Sequence, residues 1–144
     1  MPDEKSVIVP TNYDPEKDKD EFMNPIMLEY FRQKLLDWKA ELVRESEDTI
    51  AKTLQSTELQ KPDLADRASA ETDYALELRT RDRERKLLKK IDKTIASIGD
   101  GEYGYCEETG EQISIARLKA RPNATMTLEA QELHERMEKT HRDG

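Results

Sequence analysis

Lys61-Pro62-Asp63-Leu64-Ala65-Asp66-Arg67-Ala68 decides how this chain of 144 residues folds. Pro62 cannot sit inside a helix, because it lacks the N–H and its ring collides with the preceding turn. Asp63, directly after it, is a good helix N-cap. Asp66, three residues on, stands where a carboxylate reaches back to a free backbone N–H. The stretch is therefore a break followed at once by a helix start. Helical patterns run on both sides of it, so it reads as the turn of a helical hairpin.

Upstream, Asn24-Pro25 supplies a cap and a first-turn proline. Leu28, Phe31, Leu35, Trp38 and Leu42 then recur at spacings of 3, 4, 3 and 4, a coiled-coil seam that weakens at Glu45, Thr49 and Ile50 and returns at Thr53 and Leu54. This predicts a helix from about residue 25 to about residue 57, roughly 50 Å long. Downstream, Ala68, Tyr74 and Leu78 lead into a polar middle at Arg81 and Arg85. Leu88, Ile91, Ile95 and Ile98 restore the seam, and Gly99 is expected to stop a second helix that begins near residue 64. Helices of matched length joined by a short turn pack antiparallel. The expected fold is all-α dominated: a long two-helix coiled coil over residues 25–99, with its tip near 58–66.

Residues 1–24 hold Pro2, Pro10 and Pro15 among many charges and are expected to form an extended arm. Residues 100–144 begin with Gly101, Gly104 and Gly110 and an alternation at Ile113 and Ile115. They read as a small irregular module with short strands, then a helix capped by Thr125 or Thr127. The stripe of that helix, Met126, Ala130, Leu133 and Met137, is expected to pack near Leu28, Phe31 and Ile98.

A net charge of -8 argues against direct binding to a phosphate backbone, which requires a basic surface. The one cysteine, Cys106, excludes an internal disulfide framework. No apolar run has the length of a membrane span and no secretory signal is evident, so a cytoplasmic protein is expected.

Three groups of residues are candidates for function. Asp63 and Asp66 are either helix caps or a carboxylate pair delivered to a partner by the hairpin. Residues 79–93 carry eight bases against three acids. They form either a solvated face with pairs such as Glu77 with Arg81, or an electrostatic docking flank. The third group has the look of a zinc ribbon without its ligands: a four-cysteine site would need thiols at Cys106, Thr109, Thr127 and Ala130, and three of the four are absent. One thiolate and the distant His134 or His141 cannot hold structural Zn²⁺, so packing must replace the metal, with Ile113, Ile115, Leu118, Met126 and Leu128 available. Cys106 is then either buried or an exposed thiol. No nucleophile–base spacing and no phosphate loop argues for an enzyme.

These motifs resemble the DksA/TraR family. Asp63-Leu64-Ala65-Asp66-Arg67-Ala68 fits its Asp-x-x-Asp-x-Ala tip. Glu77-Leu78-Arg79, Asp82 through Leu87 and Lys89-Lys90-Ile91 look like its second coiled-coil helix. Tyr103-Gly104-Tyr105-Cys106 and Ala120-Arg121-Pro122 resemble its globular module. The resemblance runs from about Phe22 to the C-terminus. It implies a monomeric regulator that binds bacterial RNA polymerase through the secondary channel and does not contact DNA. It also implies action with ppGpp to repress ribosomal RNA promoters and activate some amino-acid biosynthesis promoters. On it, Asp63, Asp66 and Ala68 are tip residues, Arg83 contacts polymerase, and Leu87, Lys90 and Arg121 belong to the ppGpp site. Gln131 stands where that site has a basic residue. No zinc is expected. Two other functions fit the residues: a transcript-cleavage factor recruiting Mg²⁺ through its acidic tip, and a coiled-coil adaptor.

Overall fold

A computed structural model describes residues 7–59 and 64–143, with side chains described from Val7 to Lys52 and from Glu71 to Thr140. The expected tip falls largely outside this set: Asp63 lies outside the described residues, as do the side chains of Asp66 and Ala68. A 3₁₀ turn at Pro15–Lys17 precedes four α-helices, α1 (Pro25–Leu59), α2 (Leu64–Asp100), α3 (Ile115–Ala120) and α4 (Leu128–Asp143). The chain divides into two compact units. One holds the residues up to Leu35 together with those from Lys93 onward, and the other runs from Leu36 to Asp92.

The Leu36–Asp92 unit is a helical hairpin. Lys39 near its start pairs with Asp92 at its end, Nζ to Oδ1 at 2.7 Å, so α1 and α2 run antiparallel. Leu42 and Ile91 are buried there. Away from them the seam turns polar: Ser46 and Thr49 on α1 and Glu77, Arg81 and Glu84 on α2 are half-buried. The carboxylate oxygens Glu77 Oε2 and Glu84 Oε1 are covered without a hydrogen-bond partner in the structure. This corrects the expected stripe. Tyr74 and Leu78 are 51% and 45% exposed. The spacings of 3 and 4 carried back from Ile91 and Leu88 arrive at Glu84, Arg81 and Glu77, so helical phase overrides side-chain hydrophobicity.

The other unit begins with the arm. Asn24 caps α1 as expected, its Oδ1 accepting from Ile26 N–H at 3.1 Å and Met27 N–H at 3.0 Å. Met27, Phe31 and Leu35 form the buried face of α1, while Leu28 is only half-buried. Gly99 does not end α2, which runs to Asp100. Gly101, at φ +79°, takes the left-handed position. Gly101 N–H donates to Ile98 O and Glu102 N–H to Ser97 O, the pair of bonds that closes a helix end when the next residue turns left-handed.

The short strands expected near Ile113 and Ile115 reduce, among the described residues, to one antiparallel bridge, Tyr105 with Gln112. Ser114 intervenes as the cap of α3, accepting from Arg117 N–H. The module's core is Tyr103, Cys106, Ile113, Leu118 and Ala124. Ile115 and Met126 are half-buried, and Leu128 is exposed. The apolar stripe of α4 also departs from expectation, with Leu133 and Met137 at 53% and 63% exposure. The surface they were to cover is met by other groups, since Tyr13 packs edge-on against Tyr30 and Tyr103 lies against Phe31.

Candidate functional site: a helical hairpin and a degenerate zinc knuckle

α2 begins at Leu64, so Asp66 and Ala68 lie in its first turns. Negative charge in the first turn of a helix is favoured by the helix dipole. Farther along, Arg83, Leu87 and Lys90 are spaced by 4 and 3 and share one face of the helix. Arg83 and Lys90 are exposed and Leu87 is half-buried. The bland alternative for the basic run is realised in part on a neighbouring face. There Asp82 pairs with Arg85 at 3.0 Å and Lys86 at 3.4 Å, and those bonds, Lys86 foremost, hold its carboxyl below the usual range. Arg121 belongs to the other unit, as the exposed C-terminal cap of α3. Gln131 is half-buried and donates to Glu135 at 3.1 Å.

The fold does bring together the four positions of the missing zinc site. Cys106 is buried, which settles its alternatives. Burial pushes its thiol up, but hydrogen bonds from the Thr109 hydroxyl and from the N–H groups of Thr127, Thr109 and Glu108 outweigh this and bring it down to about 7. Thr127, not Thr125, caps α4, its hydroxyl oxygen accepting from Ala130 N–H at 3.2 Å. The Thr109 hydroxyl oxygen accepts from Glu111 N–H. Of the four positions, then, one offers a thiolate, two offer hydroxyls already committed to the backbone, and Ala130 offers a methyl. This set does not fit Zn²⁺, which requires four good donors in a structural site. Among the described residues no three His, Cys, Asp or Glu side chains are grouped to hold a metal ion.

The thiol gives a pH prediction. Its folded value lies below the ordinary 9.0, so its contribution to stability is fully present above pH 9 and is lost as pH falls through about 7. Relative to Cys106→Ser, the unsubstituted chain should gain on the order of 1–2 kcal/mol between pH 6.5 and 9. Denaturant melts of both proteins at the two pH values measure it, and parallel shifts would refute it.

An all-α hairpin joined to a zinc-ribbon-like module with a degenerate C4 site defines a recognisable class. Residues 27–98 match the family described as DnaK suppressor protein DksA, N-terminal domain, and residues 101–136 match the prokaryotic dksA/traR C4-type zinc finger. The chain belongs to the DksA/TraR family. It is 60% identical over 133 residues to the RNA polymerase-binding transcription factor DksA of Caulobacter vibrioides, covering 92% of each chain. It is 44% identical over 124 residues to the protein of that name from Escherichia coli K12, covering 86% of this chain and 82% of that one. The structure of transcription factor DksA2 from Pseudomonas aeruginosa superposes with a TM-score of 0.79 at 35% identity, over 87% of this chain and 95% of that one.

Proposed function

We propose that this chain is a transcription regulator that binds bacterial RNA polymerase and is not itself an enzyme. The observation that carries the reading is similarity along most of the chain to relatives named for that function, 92% of each chain in the Caulobacter case. In this reading the hairpin enters the secondary channel. Arg83 contacts polymerase, and Asp63, Asp66 and Ala68 act near the catalytic Mg²⁺. The factor shifts the balance of polymerase states by binding one better than another. The site of action is the cytoplasm; among the described residues no helix is long and apolar enough to cross a membrane. The chain acts as a monomer, without zinc and without contacting DNA.

The finer proposal concerns ppGpp. Leu87, Lys90 and Arg121 would form the chain's share of its site at the polymerase interface, and Gln131 would leave that site one positive charge short. Transcription in vitro from a ribosomal RNA promoter, with and without the chain and with and without ppGpp, tests both layers. Repression by the chain, deepened by ppGpp, is expected. Failure to co-purify with polymerase would overturn the first layer. Repression indifferent to ppGpp would overturn only the second. Cleavage of the transcript in backtracked complexes would favour a cleavage factor instead.

A further inference from the structure

Structural zinc would tie two short segments of this module together, the turn at 106–109 and the turn at 127–130. The residues present cannot bind it, yet the segments are held. Part of the hold is direct, through Thr127 N–H to Cys106 and Glu107 N–H to Thr125 O at 2.8 Å. The rest passes through the N-terminal arm. At one end of the arm, Phe22 stacks edge-on against Tyr105, and the Met23 side chain lies so close to Gly104 that a Cβ there would stand 3.1 Å from it. Met23 takes φ +53° to make this approach, a conformation that side chains rarely adopt without compensating contacts. At the other end, Pro15 is fully buried, and Lys119 of α3 reaches Asp14 at 3.0 Å and Glu16 at 2.8 Å. α3 in turn holds the second turn, because Arg117 Nε donates to Met126 O at 2.9 Å. Tyr13 and Asn24 both bond Asp18, which stiffens the arm between its two anchors.

We propose that residues 13–24 are an intramolecular strap that takes over the metal's task, fastening the segment of Cys106 to the segment of Thr127 through Gly104 on one side and α3 on the other. Its Lys119 clasp is ionic. The bond to Glu16 and then that to Asp14 raise the lysine, and the same lysine lowers Asp14. Salt therefore loosens the strap, and chelators do not.

The buried Cys106 thiol reports opening of the module. Its reaction with an aromatic disulfide reagent is to be timed in the full chain at low and high salt, with and without a zinc chelator. Three variants accompany it: Lys119→Met, the double variant Asp14→Asn with Glu16→Gln, and Lys86→Met as a control ion pair on α2. Lys119→Met and the double variant should each speed the reaction about three- to tenfold. Salt should speed the unsubstituted chain and not these variants, and Lys86→Met should change nothing. Rates within twofold of the unsubstituted chain in both Lys119→Met and the double variant would overturn the proposal, as would a response to chelator. Loss of helicity across the whole chain in either variant would also overturn it, because the strap acts locally.

Discussion

Phe31→Ala is expected to cost about 3–5 kcal/mol, the cost of removing a fully buried aromatic side chain and leaving a cavity. Phe31 has no exposed surface, and its ring stands 5.1 Å from that of Tyr30 and 5.7 Å from that of Tyr103. It therefore joins the start of α1 to the module, and Tyr103 hands the contact on by donating from its hydroxyl to Pro122 O at 2.8 Å. A domain of ordinary stability, roughly 5–15 kcal/mol, loses a large part of it with this one side chain. The comparison variant is Leu133→Ala, which removes a somewhat smaller apolar group from the exposed face of α4 and should change stability by less than about 0.5 kcal/mol. Denaturant unfolding followed by helicity measures both. A Phe31→Ala cost below about 1 kcal/mol would show that the aromatic cluster is not the core of its unit.

Asp66→Asn is the corresponding experiment for function. The substitution keeps the shape of the side chain and removes its charge. As the third residue of α2, Asp66 contributes at most about 1 kcal/mol through the helix dipole, so the hairpin should keep its helicity. On the proposed function, polymerase binding persists while control of a ribosomal RNA promoter is lost. If control and helicity both survive, the tip carboxylate has no regulatory part. If helicity falls, Asp66 is a cap and the sequence motif had a purely structural meaning.

Much of this fold was legible in the sequence because the signals were local. Asn24-Pro25 announced the start of α1, and the start of α2 at Leu64 follows from Pro62 ahead of it. The seam through Phe31, Leu35 and Leu42 is legible because apolar residues fall at helical spacing with no Gly or Pro between them. Tyr74 and Leu78 misled for the converse reason. They are apolar, but the phase carried back from Ile91 places charged residues inside and these two outside. Gly99 carries the signal of a helix stop because it comes first, but the left-handed turn falls two residues later, at Gly101. The arm was the least legible element. What holds it are long-range contacts of Tyr13, Pro15 and Met23 and the pairing of Lys119 with residues about a hundred positions away, none of which leaves a periodic trace. At the candidate site, the pattern of Cys106, Thr109, Thr127 and Ala130 was readable as a lost metal set. The hydrogen bonds that replaced the ligands were not, because backbone N–H groups supply most of them and every residue carries one.

The covered carboxylate oxygens of Glu77 and Glu84 bear on how α1 and α2 are aligned. Sliding one helix past the other by a heptad moves it about 10 Å. Such a slip would set Glu84 at the level now held by Ile91, which has no exposed surface. Charge at Glu84 thus makes that slipped pairing costlier than the native one, as a polar residue at a seam position does elsewhere. The hairpin behaves as a ruler whose graduations are carboxylates, and its register is held at the expense of its cohesion.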